Sequence, residues 1–331
     1  MLSRHTVPER TFMPSIPELP AAHVVVDWGT TSFRAVLLSP DGVIRERLET
    51  GDGIQFVDKG AFEATLLRLL APWLAAEGAL DIVLVGMVTS RNGWIEVPYV
   101  PCPCTVDDLA GGAVRRQLAN GSSVILLPGI NDPARKPFPD VMRGEETQIV
   151  GFGLGKDATI VLPGTHSKWA RVAGGRISGF RTFVTGELYA LLVQHSFIAR
   201  AAGSDTGADE VPAAFQRGIA EGATGTVDGE AMLSLVFSAR TGMLAGELAA
   251  GDIRDYVSGL LIAQEFRQAR TCGFFAEGDR IGIVGNDGLN RRYADVARHF
   301  GLEIIAGSEN AAIDGARAIL AAGKGTRHDA A

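Results

Sequence analysis

Apolar positions along this chain fall first into short β-branched runs and later into long stripes at helical spacing. Val24–Asp27, Phe33–Leu38 and Val43–Leu48 read as strands, the last two joined by the turn Pro40-Asp41-Gly42. Phe62, Leu66, Leu69, Leu70 and Trp73 predict a helix over about 61–75, which Pro72 kinks or shortens. Ile82–Gly86 and Val124–Pro128 are uninterrupted apolar runs, as expected of strands buried on both faces of a mostly parallel sheet.

The pattern changes after Pro128. Residues 131–139 carry three prolines and predict a loop that acts as a hinge, with a helical stretch expected from Asp140. A second strand set follows: Thr159–Leu162, Lys168–Val172 and Arg176–Phe180, the last two joined by Gly174-Gly175. Helices are predicted at about 186–200, 229–248 and 252–272. The strand Ile281–Gly285 precedes a helix at about 287–300, and Glu303–Ala306 precedes a last helix at about 309–322. Two similar strand-rich beginnings on either side of a hinge indicate a duplicated α/β fold with a cleft between lobes.

Size fits two lobes, since 331 residues exceed the usual span of one domain. With 46% hydrophobic and 21% charged residues the chain can bury a large core. A net charge of -7 argues against a general nucleic-acid binder but leaves an anionic small substrate open. No apolar run approaches the roughly 18 residues of a membrane span. The first twenty residues hold charges and four prolines, and so predict a loose extension without a secretory leader. Three cysteines (Cys102, Cys104, Cys272) are too few for a disulfide framework and suit a reduced, cytoplasmic protein.

Candidate chemistry concentrates at the turns. The strand His23–Asp27 runs into Trp28-Gly29-Thr30-Thr31, which puts an acid, a close-approach glycine and two hydroxyls at a sheet end. There Asp27 can reach a magnesium ion, directly or through water, while Gly29, Thr30 and Thr31 meet phosphate oxygens. A related turn, Pro163-Gly164-Thr165-His166-Ser167-Lys168, opens the second strand set. Paired turns of this kind can grip a triphosphate from two sides, with Gly164, Thr165, Ser167 and Lys168 as its second set of contacts. Neither a P-loop nor a Rossmann fingerprint is present.

Three further stretches complete the set. Arg143-Gly144-Glu145-Glu146 places carboxylates at a helix start, where acids favour the dipole and where a kinase needs a base for its acceptor hydroxyl. Glu145 is the preferred base and Glu146 the second. In Gly86–Tyr99, Arg91 can clamp a carboxylate, Asn92 and Glu96 can bind hydroxyls, and Trp94 can stack on a sugar face or simply anchor the loop. Gly285-Asn286 lies where a strand turns into a helix, and can border adenosine or cap that helix.

In order, the blocks VDWGTTSFRA (26–35), GMVTSRNGW with EVPYVPCP (86–103), DVMRGEETQIVG (140–151), LPGTHSKW (162–169), TGELYALLVQHS (185–196), SGLLIAQE (258–265) and GIVGNDGLNRRY (282–293) resemble the 2-dehydro-3-deoxygalactonokinase family. That family belongs to the actin, Hsp70 and sugar-kinase superfamily. The resemblance implies two actin-like, ribonuclease H-like lobes and ATP- and Mg2+-dependent phosphorylation of the C6 hydroxyl of 2-keto-3-deoxygalactonate. Beyond the extension at 1–20, which is not part of the resemblance, it implies a sugar- and phosphate-binding lobe at 21–139 and a catalytic, nucleotide-binding lobe at 140–308. A helix at 309–322 then returns to the hinge, before a tail at 323–331. The expected partner is a small sugar acid, with neither nucleic acid nor membrane; the sequence leaves a homo-oligomer open. The alternatives are a kinase of the same fold for another sugar acid, such as 2-keto-3-deoxygluconate, and a non-catalytic ATP-driven module.

Overall fold

A computed structural model of the protein describes residues 23–199, 212–224 and 232–325. The extension at 1–20 and the end of the tail lie outside them.

The first lobe is built on a six-stranded sheet. Its strands β1 (His23–Trp28), β2 (Phe33–Leu38) and β3 (Ile44–Thr50) form an antiparallel meander. Helices α1 (Phe62–Leu69) and α2 (Ala71–Glu77) follow, then β4 (Asp81–Val85), which pairs parallel to β1. Pro72 sits in the first turn of α2, so the expected single helix is two, divided at Leu70 where proline removes a backbone donor. A short strand β5 (Val100–Pro101) and helix α3 (Val106–Gly111) lead to β6 (Val114–Gln117) and β7 (Ser123–Leu126). The sheet order is β3-β2-β1-β4-β7-β6.

The stretch read from sequence as a hinge loop contains pairing. β8 (Ile130–Asp132) and β9 (Asp140–Met142) form a hairpin, with β8 also pairing to β5. The helix expected from Asp140 starts later, as α4 (Glu145–Phe152), because Gly144 has φ +108 and Asp140 is held extended against β8.

The second lobe repeats the plan. β10 (Ala158–Leu162), β11 (Ser167–Ala173) and β12 (Arg176–Phe183) form the meander, with Gly174 and Gly175 both at positive φ in the tight turn. Helices α5 (Thr185–His195), α6 (Ala213–Ala223), α7 (Met232–Leu244) and α8 (Ile253–Thr271) intervene before β13 (Arg280–Ile283), α9 (Asp287–His299), β14 (Glu303–Ala306) and α10 (Ala311–Gly325). The sheet order β12-β11-β10-β13-β14 matches the first five strands of the other sheet, including the antiparallel and parallel pairings. The duplication read from the strand spacing is therefore present in the topology. Among the described residues, no helix is long and apolar enough to cross a membrane.

Strand alternation sorts the core into layers. Val25, Val83 and Ile125 face a central cluster shared with Ile149 and Val150 of α4, Ile319 of α10, and Ile160 and Ala170 of the second sheet. Val24, Val26, Ile82 and Leu84 face the opposite side, against Trp28, Phe33 and the α1–α2 helices. α4 and α10 thus fill the seam between the sheets. They cross at backbone contact: a Cβ on Gly151 would lie 1.9 Å from the Ala311 carbonyl oxygen, and one on Gly315 would lie 1.8 Å from that of Thr147.

Candidate active site

Asp27 is the last residue but one of β1 and shares a strand face with Val25, so its carboxylate is directed to the seam. Two glycines make room for it there. A Cβ on Gly86 would lie 2.8 Å from Asp27 Oδ1, and one on Gly144 would lie 3.4 Å from Gly86 Cα. Burial pushes the Asp27 carboxyl up to about 6; Arg34 opposes the rise and the charge of Glu145 adds to it. Gly29 follows at the turn, closed by its N–H on the Ser32 carbonyl at 2.9 Å, with Thr30 and Thr31 exposed.

Glu145 opens α4 beside this turn. One of its oxygens accepts from the Arg143 N–H at 3.0 Å, and the other lies 3.3 Å from Lys168 Nζ. Lys168 comes from the second turn and is itself buried, with a further bond to the His166 carbonyl at 2.9 Å. One carboxylate therefore stands between the acid of the first lobe and the cation of the second. Glu146, one position on, turns with Ile149 and Val150 into the core and is 1% exposed. Its oxygens accept the Gly144 N–H at 2.7 and 2.9 Å. Burial, then the charge of Glu145, raise its carboxyl to about 8, against the pull of that N–H.

Alternation also divides the second turn. Lys168 and Ala170 face the seam, whereas Ser167 and Trp169 face the opposite layer. Ser167 is fully buried and donates its hydroxyl to Glu265 at 2.7 Å, so that group is not presented to the cleft with Lys168. Thr165 is exposed and Gly164 is partly so. The start of α5 packs on this turn: the Glu187 N–H donates to the Thr165 carbonyl at 2.9 Å, and a Cβ on Gly186 would lie 2.4 Å from the Gly164 oxygen.

Beside Gly164 opens a cavity of ≈ 180 Å³ between α5, α8 and α9. Thr185, Tyr189, Arg254, Ser258, Leu289 and Tyr293 are among its walls. Arg292, also on the wall, is fixed by Asp255 at 2.6 Å and lies over the Phe215 ring. Gly285 adjoins the same turn, its notional Cβ 3.5 Å from Pro163, while the Asn286 side chain caps α9 by accepting the Gly288 N–H at 2.9 Å.

The 86–99 loop is held by Arg143, which bonds Thr89 Oγ1 at 2.7 Å and the Val97 carbonyl at 2.8 Å and stacks over Tyr99 at 4.3 Å. Arg91, Asn92 and Glu96 are exposed on it. Trp94 is half-buried on the same loop and packs against the outer core of the first lobe.

The sequence did not single out Arg143, Glu265 or the cavity residues of α8 and α9. A signal existed for Glu265, an acid two residues beyond the apolar run Gly259–Ala263, since an acid buried among aliphatics needs partners. Which strand or helix supplies those partners is not encoded locally.

The sequence profile described as 2-keto-3-deoxy-galactonokinase matches residues 27–319. A probable 2-dehydro-3-deoxygalactonokinase of Rhizobium meliloti (strain 1021) is 35% identical over 86% of this chain and 91% of its own. The 2-dehydro-3-deoxygalactonokinase of Escherichia coli (strain K12) is 30% identical over 86% of this chain and 92% of its own. A Sinorhizobium meliloti crystal structure named for the same activity superposes with a TM-score of 0.78 at 31% identity, covering 92% of this chain and 99% of that one.

Proposed function

Because the chain belongs to the 2-keto-3-deoxy-galactonokinase family, we propose that its seam is where ATP phosphorylates the C6 hydroxyl of 2-keto-3-deoxygalactonate. The observation carrying this proposal is the placement of Glu145 between Asp27 and Lys168. In the transfer, the acceptor oxygen attacks the γ-phosphorus, the bond to the β–γ bridging oxygen breaks, and ADP departs. Glu145 takes the hydroxyl proton, and Lys168 stabilises charge on the transferring group. Glu146 is a poorer base, since it is buried and both oxygens are spent on Gly144.

Gly29, Thr30 and Thr31 of the first turn and Gly164 and Thr165 of the second contact the phosphates. The cavity beside Gly164 takes the adenosine, with Leu289 and Tyr293 as apolar wall. Gly285 and Asn286 stand at its margin. The Asp27 site fits magnesium: a carboxylate pushed up by burial and by a second negative charge is relieved by a cation. An ion there would be held by that carboxylate, water and phosphate oxygens. When bound, magnesium would neutralise the triphosphate; Asp27 would hold it, directly or through water.

Arg91 is assigned to the substrate carboxylate, with Asn92 and Glu96 for hydroxyls, because all three are exposed on a loop fixed beside Gly86. An ATP-consuming step on a catabolic sugar acid belongs in the cytoplasm. The test is ADP release across a panel of keto-deoxy sugar acids. Turnover stimulated by 2-keto-3-deoxygalactonate above 2-keto-3-deoxygluconate is expected; ATP hydrolysis indifferent to any acceptor would sink the proposal.

A further inference from the structure

A buried carboxyl group stands outside the phosphoryl-transfer chemistry. Glu265 lies on α8 and is 1% exposed. Its Oε1 accepts from Ser167 Oγ and from Trp169 Nε1, each at 2.7 Å, and its Oε2 accepts from the Tyr293 hydroxyl at 2.8 Å. Burial pushes the Glu265 carboxyl up, and these three donors, with the Thr185 hydroxyl beside them, oppose the rise. Burying a carboxylate is unfavourable unless donors replace the lost water, and here three do. A carboxylate can accept from all three at once.

Those groups belong to three separate elements, and each element reaches the nucleotide cavity. Ser167 ends the turn that begins at Gly164. Thr185 starts α5, whose Gly186 packs on Gly164. Tyr293 shares α9 with Leu289 and Arg292, both on the cavity wall. Glu265 is thus the point behind the wall where the phosphate turn, the start of α5 and α9 are tied together.

We propose that Glu265 is a positioning residue for the nucleotide, fixing the second phosphate turn relative to the adenosine wall so that base and triphosphate are held in one register. This rests on the nucleotide assignment of the cavity. Glu265 does not touch ATP; it acts through Ser167, Thr185 and Tyr293.

The test compares Ser167→Ala, Tyr293→Phe, Glu265→Gln and Glu265→Leu in the full-length enzyme. It reads the Kd of a non-hydrolysable ATP analogue, the KM for ATP and for the sugar acid, and Tm. Ser167→Ala and Tyr293→Phe should each raise the analogue Kd and the ATP KM by about tenfold, the scale of one hydrogen bond to a charged group. The sugar-acid KM should stay within about twofold, the spread expected of an untouched site. Glu265→Gln keeps an acceptor for Ser167 and Trp169, and its amide can donate to the Tyr293 oxygen, so it should recover most of the affinity that Glu265→Leu loses. If Ser167→Ala and Tyr293→Phe lower Tm yet bind the analogue normally, Glu265 is only structural and the proposal falls. A parallel rise in the sugar-acid KM overturns it as well. Leu289→Trp, which fills the cavity, separates the two levels. Normal analogue binding in that variant removes the nucleotide assignment and this proposal with it. Lost binding there, with normal binding in Ser167→Ala and Tyr293→Phe, removes only the role of Glu265.

Discussion

Lys168 Nζ lies 3.3 Å from Glu145 Oε1, joining the turn that opens the second sheet to the first residue of the helix between the lobes. Lys168 is nearly enclosed, so this contact is screened far less than a surface pair. A γ-phosphate arriving at that turn would compete for the ammonium. Lys168→Met should therefore lower kcat by about 10²–10³-fold, the loss typical of one transition-state donor. The ATP KM should rise and the sugar-acid KM hold. Steady-state kinetics with each substrate varied in turn checks this, and an unchanged kcat would contradict it.

Glu145→Gln keeps the side-chain shape and removes the proton acceptor. Turnover should fall by about 10²–10⁴-fold while both KM values stay close to normal. Should Glu145→Gln turn over normally and Glu146→Gln fail to, the base lies one residue along.

Glu146 makes stability depend on pH. Its folded-state pKa of about 8 lies above the ordinary 4.5, so the folded protein holds a proton that the unfolded chain has released. Its stabilising contribution is complete below about pH 4.5 and is lost as pH rises through about 8. Glu146→Gln mimics the protonated form and keeps an acceptor for the Gly144 N–H. Its Tm should match wild type near pH 5 and exceed it near pH 9 by about 3 °C or more, the shift that roughly 1 kcal/mol produces. Parallel melting curves across that range would refute the burial argument.

The α4–α10 crossing tolerates no side chain. With a Cβ at Gly151 only 1.9 Å from a backbone oxygen, Gly151→Val should cost at least about 2–3 kcal/mol, or prevent folding. Gly155→Ala, whose Cβ would meet nothing within 4 Å, is the matched control and should be near neutral in denaturant melts.

Arg91 is the assigned clamp for the substrate carboxylate. Arg91→Ala should raise the sugar-acid KM by about tenfold or more, from the loss of charge-assisted hydrogen bonds, and leave the ATP KM alone. A sugar-acid KM that does not move would reassign the role.

Much of this molecule is legible in the chain. Val24–Asp27, Phe33–Leu38, Ile82–Gly86 and Thr159–Leu162 carry the unbroken or alternating apolar patterns of buried strands, and the structure has strands there. The repeat of strand, acid or Gly-Thr turn, and strand predicts the duplication that the two sheet orders share. Local backbone chemistry set these features, and local chemistry is what a sequence records. The chain from Asp140 predicts a helix, but pairing to Ile130–Asp132 holds its start extended and Gly144 delays the helix to Glu145. Pairing partners distant along the chain override such preferences.

The sequence alone determined which residue types stand at the ends of which strands, and hence that two Gly-Thr turns and an acidic helix start exist. Only the tertiary structure decided how they divide the work: Lys168 turns to the seam and its neighbour Ser167 to Glu265, Glu145 stays in the cleft and Glu146 sinks into the core. The reason is geometric. Adjacent side chains on a strand point to opposite faces, and adjacent ones on a helix diverge by about 100°. Which of those directions meets a partner is fixed by other elements, 23 residues away for Lys168 and Glu145 and 98 for Ser167 and Glu265.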